Sequence, residues 1–388
     1  MIETPVAPSL SGVMPSQIRE LADVAFGMEG VLKLHFGESN MPTPDYIKQA
    51  ASQALADGYT YYSENGGIPP LRAKIAQKTT TLHGVQLDPN AEIVVTASGT
   101  QALNVGIRCA IDPGAEAIVL TPNWPNGAEI VRMFGATPVE VPFAYDGKRF
   151  NVDMDAVAAA LTDKTRLLLY TSPSNPLGWV ATQAEQQALL DFCRRHGLWL
   201  LADEVYERLY YQGEVAPSIL RLCMRDDAVI VVQSFSKTYC MTGWRLGWLV
   251  SRRDLVRKAT QLNEFIVSHA PTMIQRAGIV ALERGEDDVN AMTELLAERM
   301  EFCYDALTSS SRVSLPKPAG AFYLFPRIEG VSRSFDFSVQ LLKETKVAVA
   351  PGAAFGYGGE GALRVCFASD MSILEPAMER MVRFIDRY

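Results

Sequence analysis

The sequence predicts an α/β fold: a mostly parallel sheet flanked by helices on both faces, accompanied by a smaller α+β region. Three observations predict it. From about residue 92, short β-rich runs alternate with amphipathic stretches, as parallel strands joined by helical crossovers do. Several of these runs are apolar at consecutive positions, which is what a strand covered on both faces requires. After about residue 275 the rhythm changes to longer helical stretches, with Pro316, Pro318, Pro326 and Pro351 set between shorter strand-like runs.

The strands expected, in order, are Ile93–Ala97, Ala117–Thr121, Leu167–Thr171, Leu198–Ala202, Ala228–Val232 and Leu246–Ser251. One crossover helix is delimited closely. Thr182 and Glu185 make a capping box, Ala188, Leu189, Phe192 and Cys193 form an apolar face, and Gly197 supplies the stop. A last helix is expected to open on a second capping box, Ser372 and Glu375, and to run to the end on Met378, Met381, Val382 and Ile385. The first forty residues read as Pro-rich and irregular and are expected to pack on the smaller region. The division that follows is a large domain over residues 45–275, and a small one made of 1–44 together with 276–388.

Composition narrows the function. The chain has 388 residues, 48% of them hydrophobic, enough for a large core. The net charge is −8 and the Lys and Arg residues are dispersed, so no basic stripe exists to track a nucleic-acid backbone. The longest apolar runs, such as Leu198–Ala202 and Ala228–Val232, are far too short to span a bilayer. Met1–Leu10 lacks the basic start and apolar run of a secretory signal, so a cytoplasmic protein is expected. The six cysteines include no CxxC and the four histidines stand far apart, so neither a disulfide framework nor a metal site is expected.

In an open α/β sheet ligands sit at the carboxyl ends of the strands, so the residues that follow each strand carry the functional information. Ile93–Ala97 leads into Ser98-Gly99-Thr100-Gln101, a small-residue turn opening a helix. Such a turn is either an anion site, since its free N–H groups and the helix dipole point one way, or a plain helix cap. Leu167–Thr171 leads into Ser172-Pro173-Ser174-Asn175-Pro176, in which Asn175 is a side-chain amide near the strand end or simply a turn former. Leu198–Ala202 leads into Asp203-Glu204-Val205-Tyr206, and an acid directly after a buried strand needs a cationic partner unless it caps a helix. Ala228–Val232 leads into Gln233-Ser234-Phe235-Ser236-Lys237. Surface lysines are commoner than catalytic ones, but a lysine at the end of a buried strand is where a desolvated amine becomes a nucleophile.

Asn175-Pro176, Asp203-Glu204-Val205-Tyr206, Ser234-Phe235-Ser236-Lys237 and Gly243-Trp244-Arg245-Leu246-Gly247 together resemble, in order and spacing, the class I/II aminotransferases. These are fold-type-I pyridoxal-phosphate (PLP) enzymes, and the likeness is to their prokaryotic aspartate and aromatic members. It extends from Gly37-Glu38 to Arg364. The resemblance implies a seven-stranded sheet and a role for each residue. Lys237 would carry the cofactor as a Schiff base and move a proton between substrate Cα and cofactor C4′. Asp203 would pair with the pyridinium nitrogen, and Asn175 and Tyr206 would hydrogen-bond the 3′ oxygen. Ser98, Gly99, Thr100, Ser234 and Arg245 would hold the phosphate, and Trp124 would stack on the ring. Tyr62 would reach the phosphate of a neighbouring subunit, which implies a homodimer with shared active sites. Arg364 would clamp the substrate α-carboxylate, assisted by the Gly37 backbone and Asn175. The implied reaction is ping-pong transfer of an amino group from an L-amino acid to a 2-oxo acid.

The chain departs from the family pattern in places. Leu177 stands where the family usually has Thr, Ser39-Asn40-Met41 replaces Pro-Asp-Phe, and Thr100 stands where aspartate-preferring relatives often carry Lys. Three rivals remain in view. Gly356-Tyr357-Gly358-Gly359-Glu360-Gly361 is a literal GxGxxG, but too little chain follows it for a dinucleotide-binding unit, and a loop carrying Arg364 toward substrate accounts for it better. A PLP-dependent carbon–sulfur β-lyase shares every motif above. A non-catalytic PLP-binding protein is opposed by intact Lys237, Asp203 and Arg364. Trp124, Trp179 and Tyr62 suggest an apolar lining suited to aromatic or aliphatic side chains.

Overall fold

The computed structural model describes residue 10 and residues 12–388; expectations that fall on 1–9 and 11 lie outside the described residues. Its centre is a seven-stranded sheet. In chain order the strands are β1 (Ile93–Thr96), β2 (Glu116–Thr121), β3 (Thr137–Pro142), β4 (Thr165–Thr171), β5 (Trp199–Asp203), β6 (Val229–Ser234) and β7 (Gly247–Ser251). In space they run β1-β7-β6-β5-β4-β2-β3.

The consecutive apolar residues have the physical cause the sequence suggested. Successive side chains point to opposite faces of the sheet. Leu168, Leu200, Val229 and Val231 enter one core, while their neighbours Leu167, Leu169, Leu201 and Ile230 enter another on the far face. Each side chain removed from water contributes roughly 1.5–3 kcal/mol, so both faces must be covered. The helix Gly99–Ala110 does part of this by packing on β6 and β7.

The sheet is mostly parallel, as expected, with two features that the strand series did not specify. β7 pairs antiparallel with both β6 and β1, whereas the other pairings are parallel. The segment between β6 and β7 holds only the one-turn helix Phe235–Thr238 and the short 3-10 turn Thr242–Trp244, too little for the crossover a parallel return needs. The strand β3 was not anticipated. It lies at the sheet edge and carries Pro138, Glu140 and Pro142, which weaken the strand signal and are tolerated only at an edge.

The crossover helix Gln183–His196 has its capping box at Thr182 and Glu185, and Gly197 stops it in the left-handed conformation at φ 65°. The last helix, Met371–Arg387, does not use the expected box. It starts earlier, with Asp370 at the N-cap position, so Ser372 already lies in the first turn, and no side chain caps the end. The Asp370 carboxylate accepts from Arg299 instead, at 3.1 Å. The N-terminal stretch is also more ordered than expected. A helix spans Gln17–Phe26 and buries Leu21, Ala22 and Ala25, which share one face.

Beyond the large sheet, β8 (Tyr323–Leu324), β9 (Ala350–Pro351) and β10 (Leu363–Cys366) form an antiparallel sheet in the order β8-β10-β9. A short strand at Leu32–Lys33 pairs in parallel with Val347–Ala348. Leu21 and Ala25 meet Leu342 and Ala348 in a small core of their own. No helix among the described residues is long and apolar enough to cross a membrane.

A tight backbone approach lies under the carboxyl end of β1. A Cβ at Gly247 would stand 2.6 Å from the Ser98 carbonyl carbon and 2.8 Å from the Gln233 carbonyl oxygen, so only glycine lets β7 pass there. Gly247→Ala should lower stability by about 1–3 kcal/mol, the usual cost of overpacking. The check is the urea unfolding midpoint; an unchanged midpoint would mean that the two backbones separate freely.

Candidate active site

The carboxyl ends of β1, β2, β4, β5 and β6 open on one cavity of about 310 Å³. The residues expected in the site line it, with three exceptions. Gly99 and Thr100 come from the turn after β1, Trp124 from the segment after β2, Asn175 from that after β4, and Asp203 and Tyr206 from β5 and its loop. Ser234 and Lys237 follow from β6, Arg245 precedes β7, and Gly37 and Arg364 arrive from the chain's two ends.

Ser98 is the first exception. It sits at the N-cap of Gly99–Ala110 with φ 113°, and its hydroxyl accepts from the Gln101 N–H at 3.1 Å instead of facing the cavity. The strained cap still turns the helix N-terminus toward the cavity, and Gly99 keeps the turn tight against Ser234, whose Cβ would be 3.0 Å from a Cβ at that position. Tyr62 is the second exception. It is 89% exposed, edge-on to His269 with ring centroids 5.7 Å apart, and does not line this chain's cavity. Trp179, expected as lining, is the third and is core: it is buried against Phe143 at 4.7 Å.

The ionisable groups are unusually placed. Asp203 is buried and forms no salt bridge among the described residues; one oxygen accepts the Val205 N–H at 3.3 Å. Burial pushes its carboxyl up to about 7, against the downward pull of that N–H and of Lys237. Lys237 reaches the cavity wall and donates to the Gly37 carbonyl at 2.6 Å. Burial brings its amine down to about 8, with the cations Arg364 and Arg245 pulling the same way and Cys366 and Glu38 opposing. Arg364 is buried, donating to Asn175 Oδ1 at 3.1 Å and to the His35 carbonyl at 2.5 Å. Its guanidinium lies 4.6 Å from the Tyr323 ring centroid and 4.9 Å from that of Phe355. Arg245, exposed and left-handed at φ 55°, is held by its bond to the Thr242 carbonyl at 2.7 Å.

Several lining residues had no sequence signal. Behind the wall, Asn123, which does not itself line the cavity, accepts from the Trp124 N–H at 2.8 Å and from the lining residue Thr171 at 2.9 Å, which fixes the start of the Trp124 segment. Arg19 and Phe36 share one wall, the guanidinium 5.7 Å from the ring centroid. Thr242 donates to Glu38, and Tyr323 meets Tyr206 hydroxyl to hydroxyl at 2.8 Å. Only a turn signal near Pro318 and Gly320 could have drawn attention to the Tyr323 strand.

The donor set fits PLP. A buried acid without a cation would be matched by a protonated ring nitrogen, and a semi-buried amine of lowered pKa suits attachment to an aldehyde. The N-terminal turn of a helix together with Arg245 suits a phosphate, and buried Arg364 suits a carboxylate.

Comparison with known proteins agrees. The family model for aminotransferase class I and II matches residues 29–381. The chain is similar to an aromatic-amino-acid aminotransferase of Thermococcus litoralis, 37% identical over 381 residues and covering 97% of each. It is also similar to an aspartate aminotransferase of Pyrococcus abyssi, 38% identical over 378 residues and covering 96% of each. The solved aromatic aminotransferase of Pyrococcus horikoshii superposes with a TM-score of 0.88 at 37% identity, over 95% of this chain and 99% of that one. A family match across nearly the whole length, on a seven-stranded α/β fold with this cavity at its strand ends, means that the chain belongs to the class I and II aminotransferases.

Proposed function

We propose that this aminotransferase binds PLP in the cavity at the strand ends and attaches it to Lys237. The observation that carries the reading is the convergence of Lys237, Asp203 and Arg364 on one cavity from three separate parts of the chain. When bound, the cofactor supplies an electron sink for charge developing at the substrate Cα. Asp203 keeps the ring nitrogen protonated, Asn175 and Tyr206 hydrogen-bond the 3′ oxygen, and Trp124 covers the ring. Gly99, Thr100, Ser234 and Arg245 hold the phosphate, with Ser98 shaping the turn. Arg364 orients the substrate through its α-carboxylate, and Lys237 carries the proton between Cα and C4′. Transfer is ping-pong between an amino acid and a 2-oxo acid.

The exposed Tyr62 is assigned to the phosphate of a partner subunit in a homodimer. Residues 45–275 are taken as the large domain. The small domain joins 276–388 to the N-terminal part up to residue 44, a union supported by the pairing of Leu32–Lys33 with Val347–Ala348.

The side-chain wall combines Ile18, Phe36 and Trp124 with Arg19. An aromatic side chain can stack there, and a second carboxylate can meet the Arg19 guanidinium. The aromatic and aspartate relatives named above support both substrate types.

The first test is the absorption spectrum of the purified protein before and after adding amino acids without any oxo acid. A band near the visible edge that bleaches supports PLP and half-transamination together. No band after PLP is supplied would sink the proposal. Lys237→Ala should retain PLP but lose turnover by at least roughly a thousandfold, the scale of a lost acid–base group; substantial turnover would show that another residue moves the proton. Arg19→Leu should lower kcat/KM for a dicarboxylic oxo acid about fivefold, as suits an exposed ion pair, and leave phenylalanine unaffected. Equal losses for both substrates would remove Arg19 from the specificity wall.

A further inference from the structure

Two phenols meet at the floor of the cavity. Tyr206 and Tyr323 are both buried, their hydroxyls are 2.8 Å apart, and their rings are edge-on at 5.8 Å and 81°. A buried phenol needs a hydrogen-bond partner, and a plain structural pair would account for this contact. It leaves one thing over. Two hydroxyls bring two hydrogens, their mutual bond uses one, and the other points to an acceptor outside the pair.

The surroundings decide which hydroxyl donates. The Arg364 guanidinium, 4.6 Å from the centroid of the Tyr323 ring, polarises that phenol and favours it as donor. Burial raises both phenols above the ordinary tyrosine value, so both stay protonated and each brings its hydrogen to the pair. The geometry is fixed by the backbone. Ala321 N–H donates to the Leu209 carbonyl at 2.8 Å, Tyr211 N–H donates to the Ala319 carbonyl at 2.9 Å, and Tyr210 bridges Gly320. The strand carrying Tyr323 is thereby laced to the loop carrying Tyr206. On the other side, a Cβ at Gly37 would overlap the Tyr323 hydroxyl, so that position leaves room for it only as glycine.

We propose that Tyr323 is a positioning residue: by donating its hydroxyl hydrogen to Tyr206, it turns the Tyr206 hydrogen into the cavity, toward the cofactor's 3′ oxygen. The inference rests on the reading of the cavity as a PLP site. A hydroxyl whose oxygen already accepts a hydrogen bond is a stronger donor, so the chain Tyr323–Tyr206–3′ oxygen is polarised in one direction. This stabilises the negative 3′ oxygen and so lowers the pH at which the bound cofactor loses its proton.

The test is a spectrophotometric pH titration of the holoenzyme. Tyr323→Phe keeps the ring and removes only the hydroxyl, and it should raise the midpoint of the cofactor's colour change by about half a pH unit to one, the equivalent of one hydrogen bond. Tyr206→Phe should raise it further, and the double variant should match Tyr206→Phe alone, because Tyr323 acts only through Tyr206. An unchanged midpoint in Tyr323→Phe, or a shift that adds to that of Tyr206→Phe in the double variant, overturns the proposal while the PLP reading stands. A missing band, or a midpoint that Tyr206→Phe fails to move, overturns the reading beneath it as well.

Discussion

Taking the Asp203 carboxyl out of water is the constraint on which the site depends. It stands at the last residue of a central strand, with β4 on one side and β6 on the other, and the sheet around it is covered on both faces. A charge there is tolerated only with a partner, and among the described residues the chain provides one N–H and a distant lysine. The same covered sheet lowers the Lys237 amine. Burial thus shifts an acid up and an amine down, and both open on the same cavity.

The segment that carries Asp203 and Tyr206 is anchored from behind. Glu204 accepts from Ser218 at 2.7 Å and from the Ile219 N–H at 2.9 Å. Glu207 meets Lys78, and His83 at 2.9 Å, while Arg208 binds Glu286 with two nitrogens at 2.8 and 2.5 Å. Of these contacts Lys78–Glu207 is an ion pair largely buried on both sides; such a pair adds little net stability, since desolvation offsets its attraction, but breaking it leaves an unmatched charge. Together these contacts hold the loop in one position. Neighbouring side chains divide the work: Asp203 and Tyr206 face the cavity, while Glu204, Glu207 and Arg208 lock the backbone.

Arg364 joins the two ends of the chain to this frame. It rises from the middle strand of the smaller sheet, reaches Asn175 after β4, and binds the carbonyl of His35 next to the Leu32–Lys33 pairing. The glycine loop before it, with Gly356, Gly358 and Gly361 all at positive φ, serves to turn the chain into that strand. The literal GxGxxG is accordingly this turn.

What the sequence determined by itself was local chemistry. Consecutive apolar residues required a doubly covered sheet, Thr182, Glu185 and Gly197 bounded a helix, and the residues after four strands pointed to Gly99, Thr100, Asn175, Asp203 and Lys237, because each of these depends on neighbours within a few positions, whereas Trp124, Gly37 and Arg364 came from the family resemblance. Only the tertiary structure decided the rest. The length and turn content between Ser234 and Gly247 sent β7 antiparallel, an open sheet edge admitted a proline-bearing strand, and Asp370, not Ser372, took the helix N-terminus while its carboxylate turned to Arg299. Tyr323 and Arg19 joined the site without a motif, and Asn123 supports it from behind. Their roles come from partners far away in sequence, and a hydroxyl 2.8 Å from another across more than a hundred residues is set by packing, which no local pattern records.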